Sequence, residues 1–171
     1  MPRKSASHRG AKPSHHRLKS VSGARHIDTV LNAARRLCET RGARLTPLRE
    51  EVLTRVLAHI RPIGAYDLMA EMSQDTGRAV APPTIYRSLE FLSEMGLVSR
   101  VESRNAYLVC THPGEEHDCV FAICRVCGQA SELNNEKVET TLRTAARHDG
   151  FLPERCIVEV EGLCADCKNA A

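Results

Sequence analysis

The sequence predicts an α+β chain of two small modules, a winged-helix unit of four helices closed by a two-stranded hairpin and then a small α/β unit. Three observations carry this expectation. Apolar residues recur at helical spacing in four segments between Ile27 and Met95. Two strand-like stretches follow, Leu97 to Glu102 and Ala106 to Cys110, joined by Ser103-Arg104-Asn105. Two Cys-x-x-Cys pairs then bracket a strand-helix-strand pattern in the last third of the chain. With 171 residues there is room for one ordinary domain or two small ones. Trp is absent and there are only three Tyr and three Phe, so aromatic packing contributes little and the small cores need other support.

The elements follow in order. Ile27, Val30, Leu31, Ala34, Leu37 and Cys38 form one stripe of a first helix that Gly42 is placed to end. Thr46-Pro47 announces a second, with Thr as N-cap, Pro at the first helical position, and Glu50 and Glu51 near the positive end of the dipole. A third is expected around Ala65 to Met72, and a loop from Gly77 to Pro82. Pro83-Thr84 opens a fourth running to about Met95, with Ile85, Leu89 and Leu92 facing inward and Gly96 capping it. In the second module, His117 to Cys124 and Gln129 to Leu133 suit strands around a Cys-x-x-Cys turn. Val138, Leu142, Ala145 and Ala146 line a helix ended by Asp149-Gly150, and Arg155 to Val160 alternates as a strand.

Charge is unevenly spread. Residues 1 to 26 hold seven Lys or Arg and no Asp or Glu, with too few apolar groups to fold alone, and are expected to form a disordered basic tail. Residues 27 to 104 carry 11 basic and 10 acidic groups, and residues 105 to 171 carry 6 and 11. Such polarity suits DNA at one end and cations at the other. Met1 to Ser20 lacks the apolar run of a secretory signal and no stretch approaches a membrane span, so a cytoplasmic protein with no membrane partner is expected. In a reducing compartment, eight cysteines with close pairs point to metal or redox chemistry rather than a disulfide framework.

Cys124, Cys127, Cys164 and Cys167 carry the strongest chemical signal. Each Cys-x-x-Cys turn can offer two thiolates to one tetrahedral ion, and the 36 residues between the pairs can fold back to join them. Four sulfurs leave no open coordination position, so a zinc ion there is structural. The competing expectation is a pair of redox motifs, which needs a helix N-terminus to lower a thiol pKa. Gly128 and the strand-like residues after Cys127 do not supply one. At the other end, only the first turn of the fourth helix suits DNA: Arg87 has the fork for a guanine edge, and Thr84 and Tyr86 can meet phosphate or a thymine methyl. Arg44, Arg49 and Tyr66 could add phosphate contacts; the alternative for Tyr86 is a half-buried core position. No nucleophile, base and oxyanion set is visible, so neither an enzyme nor a small-molecule substrate is expected.

Arg44-Leu-Thr-Pro-Leu-Arg49, Pro82-Pro-Thr-Ile-Tyr-Arg87, and Cys124-x-x-Cys127-Gly with a closing Cys-x-x-Cys together resemble the ferric uptake regulator family of bacterial metalloregulators, over about residues 27 to 168. The resemblance implies a winged-helix DNA-binding domain (27–110), a hinge (111–116) and an α/β dimerisation and metal-binding domain (117–171), working as a homodimer on palindromic double-stranded operator DNA. It also implies the four-cysteine zinc, and DNA contacts from Arg44, Tyr66, Thr84, Tyr86 and Arg87. Ala65-Tyr-Asp-Leu68, the run from Pro82 to Leu92, and the run from Val101 to Cys110 are most similar to the zinc uptake regulator branch.

In that branch a second, sensing zinc lies near the hinge, and its ligands map by motif to Cys110, His117 and Glu132. The branch's usual first ligand, a His after the recognition helix, aligns here with Ser99, a poor donor; His112 or Cys119 are the substitutes, or water completes the shell. Glu139 and His148 offer another metal pair or simply a solvated surface. The resemblance thus implies a zinc-responsive repressor of zinc uptake genes with structural and regulatory Zn2+. The alternatives are an iron, manganese or peroxide sensor of the same family, or a zinc-containing thiol redox protein.

Overall fold

The computed structural model describes residues 24–77, 79–114, 119–133 and 135–170. His117 and nearly all of the basic tail therefore lie outside the described residues. α1 (Ala24–Thr40) buries Leu31, Ala34 and Cys38, and stops where the Gly42 and Ala43 N–H groups donate back to the Glu39 and Cys38 carbonyls, Gly42 being left-handed at φ 66°. α2 (Pro47–Ala58) begins as its sequence dictates. Thr46 caps it by accepting the Arg49 N–H at 3.5 Å, and Val52, Leu53, Val56 and Leu57 are buried. A two-residue strand, β1 (Ile63–Gly64), leads into α3 (Ala65–Thr76), one turn longer than its apolar pattern suggests.

α4 (Pro82–Glu94) starts at the first of its two prolines rather than the second, because neither of the first two helical positions needs an N–H donor. Ile85, Leu89 and Leu92 enter the core with α2 and α3, and each such side chain contributes about 1.5–3 kcal/mol by leaving water. β2 (Val98–Val101) and β3 (Ala106–Val109) form the hairpin, joined by a 3-10 turn (Glu102–Arg104) and by Asn105 at φ 46°. β1 adds to the far side of β3, giving an antiparallel sheet ordered β1-β3-β2. Nothing in two residues of sequence could announce that third strand.

Both faces of the hairpin are buried. Val98 and Tyr107 belong to the core of the helices, with Val109 packed against it. Val101 and Leu108 join a second core with Phe121, Ile123 and Ala130 of the other module. Those partners lie on β4 (Cys119–Cys124) and β5 (Ala130–Glu132), which are antiparallel. α5 (Glu136–His148) is capped by Asn135, carries Glu136 and Glu139 in its first turn and Arg147 and His148 in its last, and buries no side chain within this chain. β6 (Ile157–Gly162) then pairs with β4 in parallel, Cys119 opposite Ile157 and Cys124 opposite Gly162, and α6 (Ala165–Asn169) ends the described chain. β6 begins two residues later than its alternation suggests, and α6 was not expected.

The segment between the modules is seated on the first. Arg41 donates to the Met95 carbonyl at 3.2 Å and to the Gly114 carbonyl at 2.8 Å. Gly114 is left-handed at φ 88°, and a Cβ there would stand 2.9 Å from Leu37 Cδ1. Gly114→Ala is therefore expected to lower stability by about 1–2 kcal/mol, read as a lower denaturant midpoint with unchanged slope.

Candidate metal centre and nucleic-acid interface

The parallel register of β6 on β4 builds the sulfur cluster. Because Cys124 ends β4 beside Gly162, and the Arg125 N–H donates to the Gly162 carbonyl at 2.9 Å, the chain leaving β6 arrives at the Cys124-x-x-Cys127 turn with Cys164 two residues later. That turn is closed by the Gly128 N–H on the Cys124 carbonyl. The sulfurs of Cys124, Cys127, Cys164 and Cys167 lie within 4.8 Å of one another, the one such gathering of three or more Cys, His, Asp or Glu ligand atoms among the described residues. Zinc–sulfur bonds of about 2.3 Å imply tetrahedron edges of about 3.8 Å, and Cys127 Sγ stands 3.7 Å from Cys164 Sγ. The donor set therefore fits a zinc ion. Each of the four thiols is free of disulfide bonding.

Electrostatics favour the same occupant. Backbone N–H groups of Cys127 and then Cys164 hold the Cys124 thiol down to about 6 against its burial. The Cys167 thiol is pushed up to about 12, first by its hydrogen bond with the Cys164 sulfur and then by burial and by the crowding Cys124 and Cys127. Four sulfurs this close cannot all ionise without a cation among them.

A second polar group lies at the seam between hairpin and second sheet. Cys110 and Glu132 are each 4% exposed, and Ser99 is also buried. Glu132 stands opposite Phe121 and so shares the face that meets Val101 and Leu108. Thr111 reaches the Glu132 carboxylate with both its N–H, at 3.0 Å, and its hydroxyl. The His112 N–H donates to Cys110 Sγ at 3.4 Å, and the His112 ring nitrogen Nδ1 lies 2.9 Å from the Thr111 hydroxyl. Cys110, His112 and Glu132 are thus linked through Thr111, although their ligand atoms are not gathered as tightly as the four sulfurs. Cys119 opens β4, and its side chain lies outside the described set. Among the described residues, Glu139 and His148 are not brought into any such cluster.

In the first module, Thr84 and Arg87 are exposed on the first turns of α4, Arg44 is exposed before α2, and Tyr66 is 69% exposed on α3. Tyr86 is half-buried against the helical core. Arg49, expected among the phosphate contacts, is committed otherwise: its guanidinium lies 3.4 Å from the centroid of the Phe91 ring and donates to the Arg44 carbonyl at 2.8 Å. It ties α4 to the Arg44 loop. Neither this stacking, nor the Thr111–Glu132 pair, nor the Arg41 strap is readable from sequence, because the partners stand 21 to 73 positions apart or meet only through folding.

Comparison with known proteins gives these features a setting. Residues 40–161 match the ferric uptake regulator family. The chain is 39% identical over 140 residues, 81% of each chain, to the zinc uptake regulation protein of Escherichia coli (strain K12). Its fold superposes on a zinc uptake regulator complexed with zinc and DNA with a TM-score of 0.80 at 36% identity, covering 84% of this chain and 96% of that one. It superposes on holo XcZur with a TM-score of 0.76 at 40% identity, covering 84% and 99%. A family match over most of the chain and a relative this similar over four fifths of both lengths lead to one conclusion: the protein belongs to the ferric uptake regulator family.

Proposed function

We propose that this chain is a zinc-responsive transcriptional repressor, one that binds operator DNA as a zinc-loaded homodimer and controls zinc uptake genes. The observation that carries the proposal is the shared arrangement of both modules with a zinc uptake regulator solved with zinc and DNA, combined with a four-sulfur cluster of zinc dimensions. The second module supports the homodimer. Leu142, Phe151, Leu152, Ile157, Val160 and Leu163 are all substantially exposed in one copy, α5 buries nothing, and β6 stands at the edge of its sheet. A second copy covering this apolar surface removes it from water and from unwanted pairing.

In this proposal the four sulfurs hold a structural ion, which ties the end of β4 to the segment after β6 and supplies the stability the small core lacks. Cys110, His117 and Glu132 hold the sensing zinc, with His112 as the fourth ligand in place of the donor Ser99 lacks, since His112 already lies against Cys110 and Thr111. A thiolate, imidazoles and a carboxylate suit zinc better than iron or manganese. Binding there joins the hairpin to the second sheet and favours the DNA-competent orientation, a population shift between two arrangements. Arg44, Tyr66, Thr84, Tyr86 and Arg87 meet the operator, Tyr86 by its exposed edge. No helix among the described residues is long and apolar enough to cross a membrane.

Three measurements test the proposal. Cys164→Ser should lose one zinc per subunit by metal analysis and lower the thermal midpoint sharply, whereas Cys110→Ser or His112→Ala should keep that ion and the fold but weaken the second zinc by at least about tenfold. Operator affinity, followed by fluorescence anisotropy, should rise with zinc; restoration by iron or manganese alone would overturn zinc sensing. Arg87→Ala should cost about 1–3 kcal/mol of operator binding with loss of base discrimination at its contact, leaving zinc content unchanged.

A further inference from the structure

The tip of the hairpin, with Ser103, Arg104 and Asn105 exposed, is nevertheless tied down. It docks on β6 of the other module. Glu159 reaches it from that strand: one carboxylate oxygen accepts the Glu102 N–H at 2.6 Å and the other accepts the Ser103 N–H at 3.1 Å. Burial would raise the pKa of this carboxyl, but hydrogen bonds from the Ser103 hydroxyl and the two amides, with Arg104 nearby, hold it below the ordinary carboxylate range. Beside it, Arg104 pairs with Glu161 at 2.9 Å, and Arg155 approaches Glu102 at 3.6 Å from the β6 side. The apolar seam of Val101 and Leu108 against Phe121, Ile123 and Ala130 lies at the base of the same joint.

We propose that this turn is a joint between the modules and that Glu159 is a positioning residue for operator recognition, setting the angle at which each winged helix leaves the dimer. The inference rests on the operator-binding homodimer proposed above and extends it to residues that touch neither zinc nor DNA. Its physical basis is the difference between the contacts. The flanking Arg–Glu pairs are exposed and individually worth little. A carboxylate gripping two successive backbone amides is charge-assisted and directional, so it fixes orientation as well as distance. It also engages the hairpin tip in the arrangement this chain shares with the zinc- and DNA-bound relative. A dimer must place two recognition helices at one spacing to occupy two half-sites, whereas one half-site is indifferent to that angle.

The test uses the full-length zinc-loaded dimer and two duplexes recovered from random DNA by selection with the unmodified chain: a full palindrome and the same site with one half scrambled. Glu159→Ala should lower affinity for the palindrome roughly tenfold, within the ordinary range of coupling between sites, while single-half-site affinity and zinc content stay unchanged. Arg104→Glu should act in the same direction more weakly, and Arg104→Glu with Glu161→Arg should restore binding. Amide exchange measured by NMR on the same proteins needs no DNA, and the Glu102 and Ser103 amides should lose protection in Glu159→Ala. Retained protection at those amides, or equal losses on both duplexes, would overturn the proposal. Absence of zinc-dependent binding by the unmodified chain would instead overturn the function proposed above, leaving amide exchange to decide on the joint.

Discussion

Strand β3 has no solvent face. Tyr107 and Val109 pack with the helices, and Leu108 between them packs with the second sheet, so the two-residue period of one short strand is shared between two cores. The modules are therefore not beads on a linker, because neither core is complete without the hairpin. Any change in their relative angle must shear the contact of Val101 and Leu108 with Phe121 and Ile123. The same alternation continues to Cys110, buried at the seam where Glu132 stands opposite Phe121. The sensing ion proposed there would draw ligands from both sides of this packed seam, and so couple metal binding to domain orientation.

The four sulfurs and the residues proposed for the sensing ion differ in what folding alone provides. At the four sulfurs, the parallel register of β6 on β4 delivers both turns to one point, and a thiol near 6 beside another near 12 marks a group of donors crowded ahead of its cation. At the hinge, Glu132 is already satisfied by Thr111 and Cys110 already accepts the His112 N–H. A buried carboxylate without such partners would be costly, whereas four neighbouring sulfurs cannot all ionise unless a cation joins them.

The residues proposed to meet the operator rest on scaffolding of a similar kind. Arg49 spends its charge on the Phe91 ring and the Arg44 carbonyl, which holds the loop before α2 against α4. Arg87, Thr84 and Tyr66 remain exposed around it. Five donors in one planar fork let a single guanidinium stack and hydrogen-bond together, which a lysine could not do.

The amino-acid sequence by itself determined the local elements and the chemical identity of the four-sulfur cluster. Thr46-Pro47, the inward stripe of Ile85, Leu89 and Leu92, and the Cys-x-x-Cys turns are all patterns whose cause lies within a few residues, and the motifs around Arg44, Tyr86 and Cys124 were enough to point to the family. Element ends were less legible, as α3, α4 and β6 show, because capping and pairing shift them by a turn or less. Tertiary structure alone decided the parallel pairing of β4 with β6, the strand at Ile63, the commitment of Arg49 to Phe91, and the contact of Glu159 with the hairpin tip across 57 positions. Each depends on which distant backbone comes alongside, and a periodicity records only which face of an element is buried, not what buries it.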